Sequence, residues 1–200
     1  MALRRTFLVA PLLAACSVLP DRPYLETLRF PLEPRRPGLP RTGRGRRTLL
    51  VRTIRAGAGL ETRNLRTIRP DGTESLDFYA EWAAPPAEAA EQSLRRWLID
   101  SRLFAGILAP GSRVAPDFTL EGELTALAAV QGEGVARAEL TLLLVDDRNG
   151  GVLVGQLVSS GTAPLASGTS PPTAEQAASA MSAALGNALA SLEQALARFA

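Results

Sequence analysis

The side chains that usually carry enzyme chemistry are scarce in this chain. It has no histidine, all 22 of its basic residues are arginines, and Cys16 is its one cysteine. Without histidine, lysine or a second thiol, the chain lacks the partners of a Ser-His-Asp, Cys-His or Ser-Lys nucleophile. It also lacks the ligands that zinc prefers and the glycine-rich motifs that cradle phosphates. We therefore expect no catalytic residue, no metal site, no cofactor and no enzyme activity.

Two pairs of carboxylates have a spacing that could serve acid–base chemistry. Glu121 and Glu123 share one face of a predicted strand, and Asp71 and Glu74 lie in a predicted loop. Glycoside hydrolases use such a pair on either side of the bond they cleave. Neighbouring surface acids are usually a solvated face, and that is the interpretation we favour for both pairs.

Cys16 ends a short apolar segment near the N-terminus. Two arginines precede this segment, residues 7–15 are apolar, and small residues stand directly before the cysteine. The arrangement is typical of a secretory signal, and residues 13–16 (LAAC) look like a bacterial lipobox. Cys16 would then begin the mature protein and carry lipid on its sulfur and its amine. The alternatives are an ordinary signal peptide with a chance cysteine, or a short membrane anchor, although the segment is too short for about 30 Å of hydrocarbon.

The rest of the chain has the composition of a globular protein, with 46% hydrophobic and 21% charged residues. We predict a lipoprotein signal peptide at 1–15, and a lipidated N-terminus with a Pro/Arg-rich tether at 16–48. A folded domain follows at 49–200. Within the tether, a first strand is expected at 24–30.

The tether combines prolines at every third position, 31, 34, 37 and 40, with a series of arginines. This spacing favours polyproline II, which acts as a semi-rigid spacer. Residues 21–69 hold 13 arginines against four acids, whereas residues 70–200 hold seven arginines against 16 acids. The tether could be a solvated connection, bind lipid phosphates, fold back on the acidic domain or contact a neighbouring copy. Nucleic acid is not an expected partner. A protein with a secretory signal leaves the compartment that holds nucleic acid, and no aromatic residues lie between the arginines of residues 35–47.

Hydrophobic periodicity predicts strands, a helix, three long strands and a second helix. The first helix begins at Pro85-Pro86, and the second begins at a capping box of Thr173 and Gln176. This order indicates an α+β fold, with a largely antiparallel sheet and two main helices packed on one face. Strands are expected at 24–30, 49–54, 65–69, 76–82, 104–108, 117–129, 135–145 and 152–160. The predicted inward positions of the first helix are Ala90, Leu94, Trp97, Leu98 and Ser101.

Residues 78–86 (FYAEWAAPP) carry a resemblance to a known family. Tyr79, Trp82, Pro85 and Pro86 look like the signature of the ABC-type transport auxiliary lipoproteins, the PqiC-like family. The order of motifs is also similar: a lipobox, a Tyr-x-x-Leu start, a helix ending in Leu-x-x-Ser-x-x-Phe, an Asp-x-x-Leu strand and an alanine-rich last helix. The likeness covers nearly the whole mature chain, apart from an Arg/Pro insertion.

The resemblance implies a non-catalytic subunit of an MCE-type transport system, which moves lipids or other hydrophobic molecules between the inner and outer membranes. The implied partners are an MCE-domain protein, the permease and ATPase of an ABC transporter, and outer-membrane lipid reached through acylated Cys16. The implied location is the periplasmic side of the outer membrane, with which Ser17 is compatible. A homo-oligomeric ring is one implied arrangement. Tyr79 and Trp82 would form the packing centre of the signature, with Trp82 as a core anchor.

Two other functions are compatible with the sequence. A structural or assembly lipoprotein of the outer membrane would act through the Arg-rich arm at 31–47. A carrier would itself hold a lipid between the sheet and the helices, although two helices packed tightly on one face leave little room for it.

Overall fold

The computed structural model describes residues 25–166 and 171–200, and its helices and strands follow the predicted order. The α+β class expected from the sequence is confirmed. The helices are α1 (Pro86–Ser101) and α2 (Ala174–Leu196), and 3₁₀ turns lie at Gln131–Glu133, Asp147–Asn149 and Ala197–Phe199. The strands are β1 (Leu28–Phe30), β2 (Thr48–Ala56), β3 (Asn64–Ile68), β4 (Glu74–Trp82), β5 (Gly106–Leu108), β6 (Phe118–Val130), β7 (Val135–Asp146) and β8 (Val152–Pro164).

The strands form one mixed sheet in which β6 has the central place. β7 pairs antiparallel along β6, from Phe118 opposite Asp146 to Val130 opposite Val135, and β8 extends this ladder. The other edge of β6 is shared, because β2 runs parallel to its first half and β3 to its last two residues. β5 then flanks β2, while β4 and β1 flank β3. Parallel neighbours need long crossover connections, so local patterns did not predict the parallel pairings, which involve β1, β2, β3 and β5.

Both helices lie against the same sheet and share one hydrophobic cluster. α2 packs across β6, β7 and β8, whereas α1 packs on β2 and contacts α2. Burying a large aliphatic side chain contributes roughly 1.5–3 kcal/mol, so this cluster is the main source of stability. The predicted inward residues of α1 all belong to the buried set, and so do alternate residues of β7. They are Ala90, Leu94, Trp97, Leu98 and Ser101 of α1, and Ala138, Leu140, Leu142 and Leu144 of β7.

α2 begins at the predicted capping box and lies directly on the backbone of β8. The Thr173 hydroxyl accepts a hydrogen bond from the Gln176 N–H, and the Gln176 side chain accepts one from the Thr173 N–H. A Cβ atom on Gly161 of β8 would lie 2.3 Å from the Ala184 oxygen and from the Ala188 nitrogen. The glycine therefore permits this contact between helix and strand, and no ligand fits between them at this point.

Residues 31–47 lie along the two helices, and we call them the strap. The proline spacing favoured a semi-rigid spacer, and of the alternatives left open by the sequence, the structure agrees with a tether that folds back on its own domain. The Leu32 side chain is buried in the core, and its carbonyl oxygen accepts a hydrogen bond from the Ser93 hydroxyl at 3.0 Å. Near the other end of the strap, the Gly45 N–H donates to the Arg102 carbonyl oxygen at 3.2 Å. Polyproline II has no hydrogen bonds of its own, so its free backbone groups can bond to the helices.

The N-terminal part of the chain enters the described structure at Leu25. The strand expected at 24–30 is β1, at Leu28–Phe30. The predicted signal peptide, Cys16 and the rest of the tether up to residue 24 lie outside the described residues. Among the helices that the structure describes, none combines the length and the apolar character needed to cross a bilayer.

Candidate interaction surfaces

Three of the four signature residues lie at the corner where β4 ends and α1 begins. Trp82 is 1% exposed and belongs to the core, and its backbone N–H donates to the Arg63 carbonyl oxygen at 2.6 Å. Pro85 precedes α1 with extended backbone, Pro86 is the first helical residue, and the Pro85 carbonyl oxygen accepts from the Ala89 N–H at 3.0 Å. Proline fits the start of a helix because the first N–H groups have no partner within it. Trp82 and the two prolines thus position α1 on the sheet.

Tyr79 does not join Trp82 in the core, contrary to the expectation of a joint packing centre, and is 52% exposed. β4 pairs with β3 before and after residues 77–80, which bulge out of the ladder. The Asp77 carboxylate accepts the Tyr79 N–H at 2.9 Å, and the Asn64 side-chain amide donates to the Asp77 carbonyl oxygen at 2.7 Å. The expectation for Tyr79 rested on the family resemblance. Tyr79 lies three residues before Trp82 on β4, and successive side chains of a strand point to opposite faces. It therefore faces away from the side on which Ala80 and Trp82 are buried.

The bulge of β4 presents apolar side chains to solvent. Phe78 is 82% exposed, and Leu76 and Tyr79 beside it are also exposed. Leu28 on the adjacent strand β1 lies opposite Ala80 of β4 and is exposed, and so is Leu25, which comes three residues before it in the chain. We call these five residues the apolar patch. Phe78 was not singled out from the sequence, although two adjacent aromatic residues on a strand cannot both face the core.

The first carboxylate pair lies on the sheet face opposite the helices. Glu121 and Glu123 line a depression of about 560 Å³ there, together with Arg52 and Arg55 of β2. Arg52 forms an ion pair with Glu121 at 3.0 Å, and both side chains are exposed. An exposed pair of this kind contributes about 0–1 kcal/mol. The arrangement matches the solvated face that the sequence indicated.

The second carboxylate pair is held in its ionised form. Asp71 accepts hydrogen bonds from the Thr73 hydroxyl at 2.7 Å and from the Thr73 N–H at 2.9 Å, and these bonds lower the pKa of Asp71. Glu74 pairs with Arg66, whose hydrogen bond lowers the pKa of Glu74. A general acid needs a pKa close to the working pH, so these two groups are not tuned for that task. Within residues 25–166 and 171–200, no three acidic, histidine or cysteine side chains converge as a metal site.

The strap is joined to both helices by one partly buried network. Arg36 donates to the two carboxylate oxygens of Glu193 at 2.9 and 2.8 Å, and the Trp97 indole N–H donates to the same carboxylate at 2.8 Å. Burial alone would raise the pKa of Glu193, but the hydrogen bonds from Arg36 and Trp97 outweigh it and lower that pKa. The hydrogen bond with Glu193 in turn raises the pKa of Arg36. Both groups stay charged, and no local sequence pattern pointed to them as partners.

Four other arginines of the strap are exposed to solvent. Unlike Arg36, which forms an ion pair with Glu193, these four arginines can be reached by anionic groups in solution or on a membrane. These four residues are Arg35, Arg41, Arg44 and Arg46.

Two solved structures are similar to this chain over most of its length. Protein XCC0632 of Xanthomonas campestris, which carries the family model DUF330, is 20% identical, and the likeness covers 82% of this chain and 90% of that chain with a TM-score of 0.61. The chain shares its fold with that protein. A second structure, of a protein described as uncharacterized, is 16% identical with a TM-score of 0.58, over 78% of this chain and 98% of that one. Neither a family model nor a curated protein matches the chain in sequence.

Proposed function

We propose that this chain is a non-catalytic, lipid-anchored subunit of an MCE-type ABC transport system, which moves lipids or other hydrophobic molecules between the inner and outer membranes. Acylated Cys16 anchors it on the periplasmic side of the outer membrane. The folded domain binds an MCE-domain protein, which works with the permease and the ATPase of the transporter.

The observation that supports this proposal most directly is the combination of a lipobox cysteine with a domain that has the fold of a DUF330 protein. DUF330 proteins are the PqiC-like family. The signature that resembles this family includes Trp82, Pro85 and Pro86, and these residues join the sheet to α1. A carrier with lipid between sheet and helices is a poorer fit, because α2 lies on the β8 backbone at Gly161.

Purification from native membranes tests the proposal. The acylated protein, extracted in a mild detergent, should bring down an MCE-domain protein, while a Cys16→Ala variant should lose both the anchor and the partner. Growth with radioactive palmitate should label the wild-type chain and not the variant. An unlabelled wild-type chain would contradict the anchor, and a labelled chain that brings down no MCE-domain protein would contradict the transport role.

The exposed arginines favour a second candidate, a structural or assembly lipoprotein that acts through the strap. Deleting residues 31–47 would not test it, because Leu32 is part of the core. A variant with Arg35, Arg41 and Arg44 replaced by glutamine keeps the core intact. Loss of outer-membrane integrity in this variant, with MCE-protein binding retained, would favour the second candidate over transport.

A further inference from the structure

We infer that the apolar patch lies in the interfacial layer of the same bilayer that holds the acyl chains of Cys16, and that it sets the orientation of the domain on that membrane. This inference rests on the lipid anchor of the proposed function. It adds a second contact with the bilayer, made by the folded domain itself.

The place where the chain enters the domain favours a membrane as the occupant of the patch. Nine peptide steps separate Cys16 from Leu25, and any chain of that length spans at most about 32 Å. β6 alone has 13 residues, which corresponds to about 43 Å of strand. The anchor is therefore shorter than the domain, and Leu25 can lie no farther than about 32 Å from the bilayer that holds Cys16. The end of the domain that carries Leu25 and Leu28 is the part that the anchor holds within this distance.

The side chains at this end suit the interface between lipid and water. Phe78, Tyr79 and three leucines are exposed there, with Phe78 82% exposed. Tyrosine is enriched at the level of the lipid headgroups, where its apolar ring and its polar hydroxyl can both be satisfied, and the ring of Phe78 gains by leaving water for the apolar side of that layer. Lipid on both the sulfur and the amine of Cys16 is enough for stable anchoring, but one point of attachment does not by itself orient the domain. The patch supplies a second point of contact, which sets the orientation.

The bulge is also held firmly enough to orient the domain. The two hydrogen bonds of Asp77 fix its backbone, and Ala80 and Trp82, which follow it on β4, are buried in the core. The position of Phe78 relative to the sheet is therefore fixed, so a contact of Phe78 with the membrane sets the orientation of the whole domain.

Charge does not explain the patch. Arg29 and Arg63 both pair with Glu81, at 2.8 and 3.5 Å, and Glu26 and Asp77 add two further acids nearby. The region thus has more acids than arginines, and anionic headgroups would not attract it. Contact through apolar side chains predicts that membrane insertion persists at raised salt.

A single-cysteine label tests this inference on the acylated protein. The thiol of Cys16 is blocked by its acyl chain, so a Phe78→Cys variant offers one free thiol for an environment-sensitive dye. Val158→Cys on β8 is the matched control. Val158 is 62% exposed, and β8 is an edge strand that is separated from β4 by β7, β6 and β3. Both labelled proteins are placed in vesicles of phosphatidylethanolamine and phosphatidylglycerol.

The dye at position 78 should shift its emission to the blue and be quenched by doxyl-labelled lipid, at low and at raised salt, while the dye at position 158 stays water-like. A water-like dye at position 78 in a protein whose mass shows the acyl chains would overturn the inference and leave the anchor intact. A blue shift that appears only after an MCE-domain protein is added would assign the patch to a protein partner and also overturn it. A mass without acyl chains would contradict the anchor itself, and the two failures are therefore distinguishable.

Discussion

Arg36 and Glu193 lie 157 residues apart in the chain and form an ion pair with two parallel hydrogen bonds, at 2.9 and 2.8 Å. Their side chains are 14% and 15% exposed, and the Trp97 indole N–H bonds to the same carboxylate. Two-point pairing between a guanidinium and a carboxylate is stronger and more specific than a single charged hydrogen bond. The strap, α1 and α2 are thus joined at one carboxylate.

Replacing Glu193 with glutamine should lower the free energy of unfolding by about 2 kcal/mol, because Arg36 would keep its charge in a mostly buried place without a counter-ion. Urea unfolding followed by circular dichroism measures this loss. Glu121→Gln is the matched control, since its pair with Arg52 is exposed, and we expect a change of at most about 0.5 kcal/mol. Equal losses in the two variants would contradict the structural role of the network.

The free energy of unfolding should fall as the solution is made acidic, over the pH range in which Glu193 and Asp117 take up protons. The pKa of Glu193 is lowered in the folded protein by Arg36 and Trp97, which outweigh burial, and that of Asp117 is lowered by the Thr48 backbone N–H. A carboxyl group whose pKa is lower in the folded protein than in the unfolded chain holds a proton more readily when the chain is unfolded. Its contribution to the free energy of unfolding is therefore complete above the pKa of the unfolded chain, and it is lost as the pH falls through the pKa of the folded protein. The loss therefore begins near the ordinary values of 4.5 and 3.8.

Urea unfolding over a series of pH values measures this dependence. The difference between the wild type and Glu193→Gln should be constant near neutral pH and shrink as the pH falls below about 4.5. A difference that stays the same down to the acid limit of folding would show that the Glu193 charge contributes nothing to the folded state.

Gly161→Ala should destabilise the protein by about 2–3 kcal/mol, because the added Cβ would meet the α2 backbone at Ala184 and Ala188. Gly155→Ala on the same strand is the control, since a Cβ at that position meets nothing within 4 Å. Thermal unfolding of both variants measures the effect. If Gly161→Ala were as stable as Gly155→Ala, the close contact between α2 and β8 would be refuted.

Leu32→Ala should cost about 2–3 kcal/mol if the strap belongs to the folded domain, because it removes a buried leucine side chain. Leu39→Ala in the same strap should leave stability unchanged, since Leu39 is 89% exposed whereas Leu32 is 4% exposed. Urea midpoints of the two variants provide the measurement. Similar midpoints would mean that the strap is a free spacer, as the proline spacing first indicated.

The helices and long strands could be predicted because their signals are local. α2 has an apolar face that repeats at helical spacing, and this face is buried at Ala177, Met181, Ala184, Ala188 and Leu192. A helix repeats every 3.6 residues and a strand every two, so a short window of sequence contains the whole pattern. The capping box at Thr173 is local for the same reason, since its partners are three residues apart.

The candidate surfaces could be predicted only in part. Trp82, Pro85 and Pro86 lie at the strand-to-helix corner where the sequence placed them. Tyr79 was expected in the core and is exposed, because it lies three residues before the buried Trp82 and positions an odd number apart on a strand face opposite sides. Phe78 lies four residues before Trp82, on the inward parity, and is exposed because a bulge interrupts the pairing of β4 with β3. A bulge depends on the register of two strands, and neither strand alone reveals it.

By itself, the amino-acid sequence determined the class of the fold, the apolar faces of its helices and long strands, and the absence of histidine and lysine, and it predicted the lipobox at Cys16. The tertiary structure decided which strands pair in parallel, which arginine of the strap meets Glu193, and that Phe78 and Tyr79 face solvent beside the N-terminal entry of the chain. The physical reason is distance along the chain. Periodicity and capping act within a few residues, whereas strand register and ion pairing join residues that only the packed core brings together.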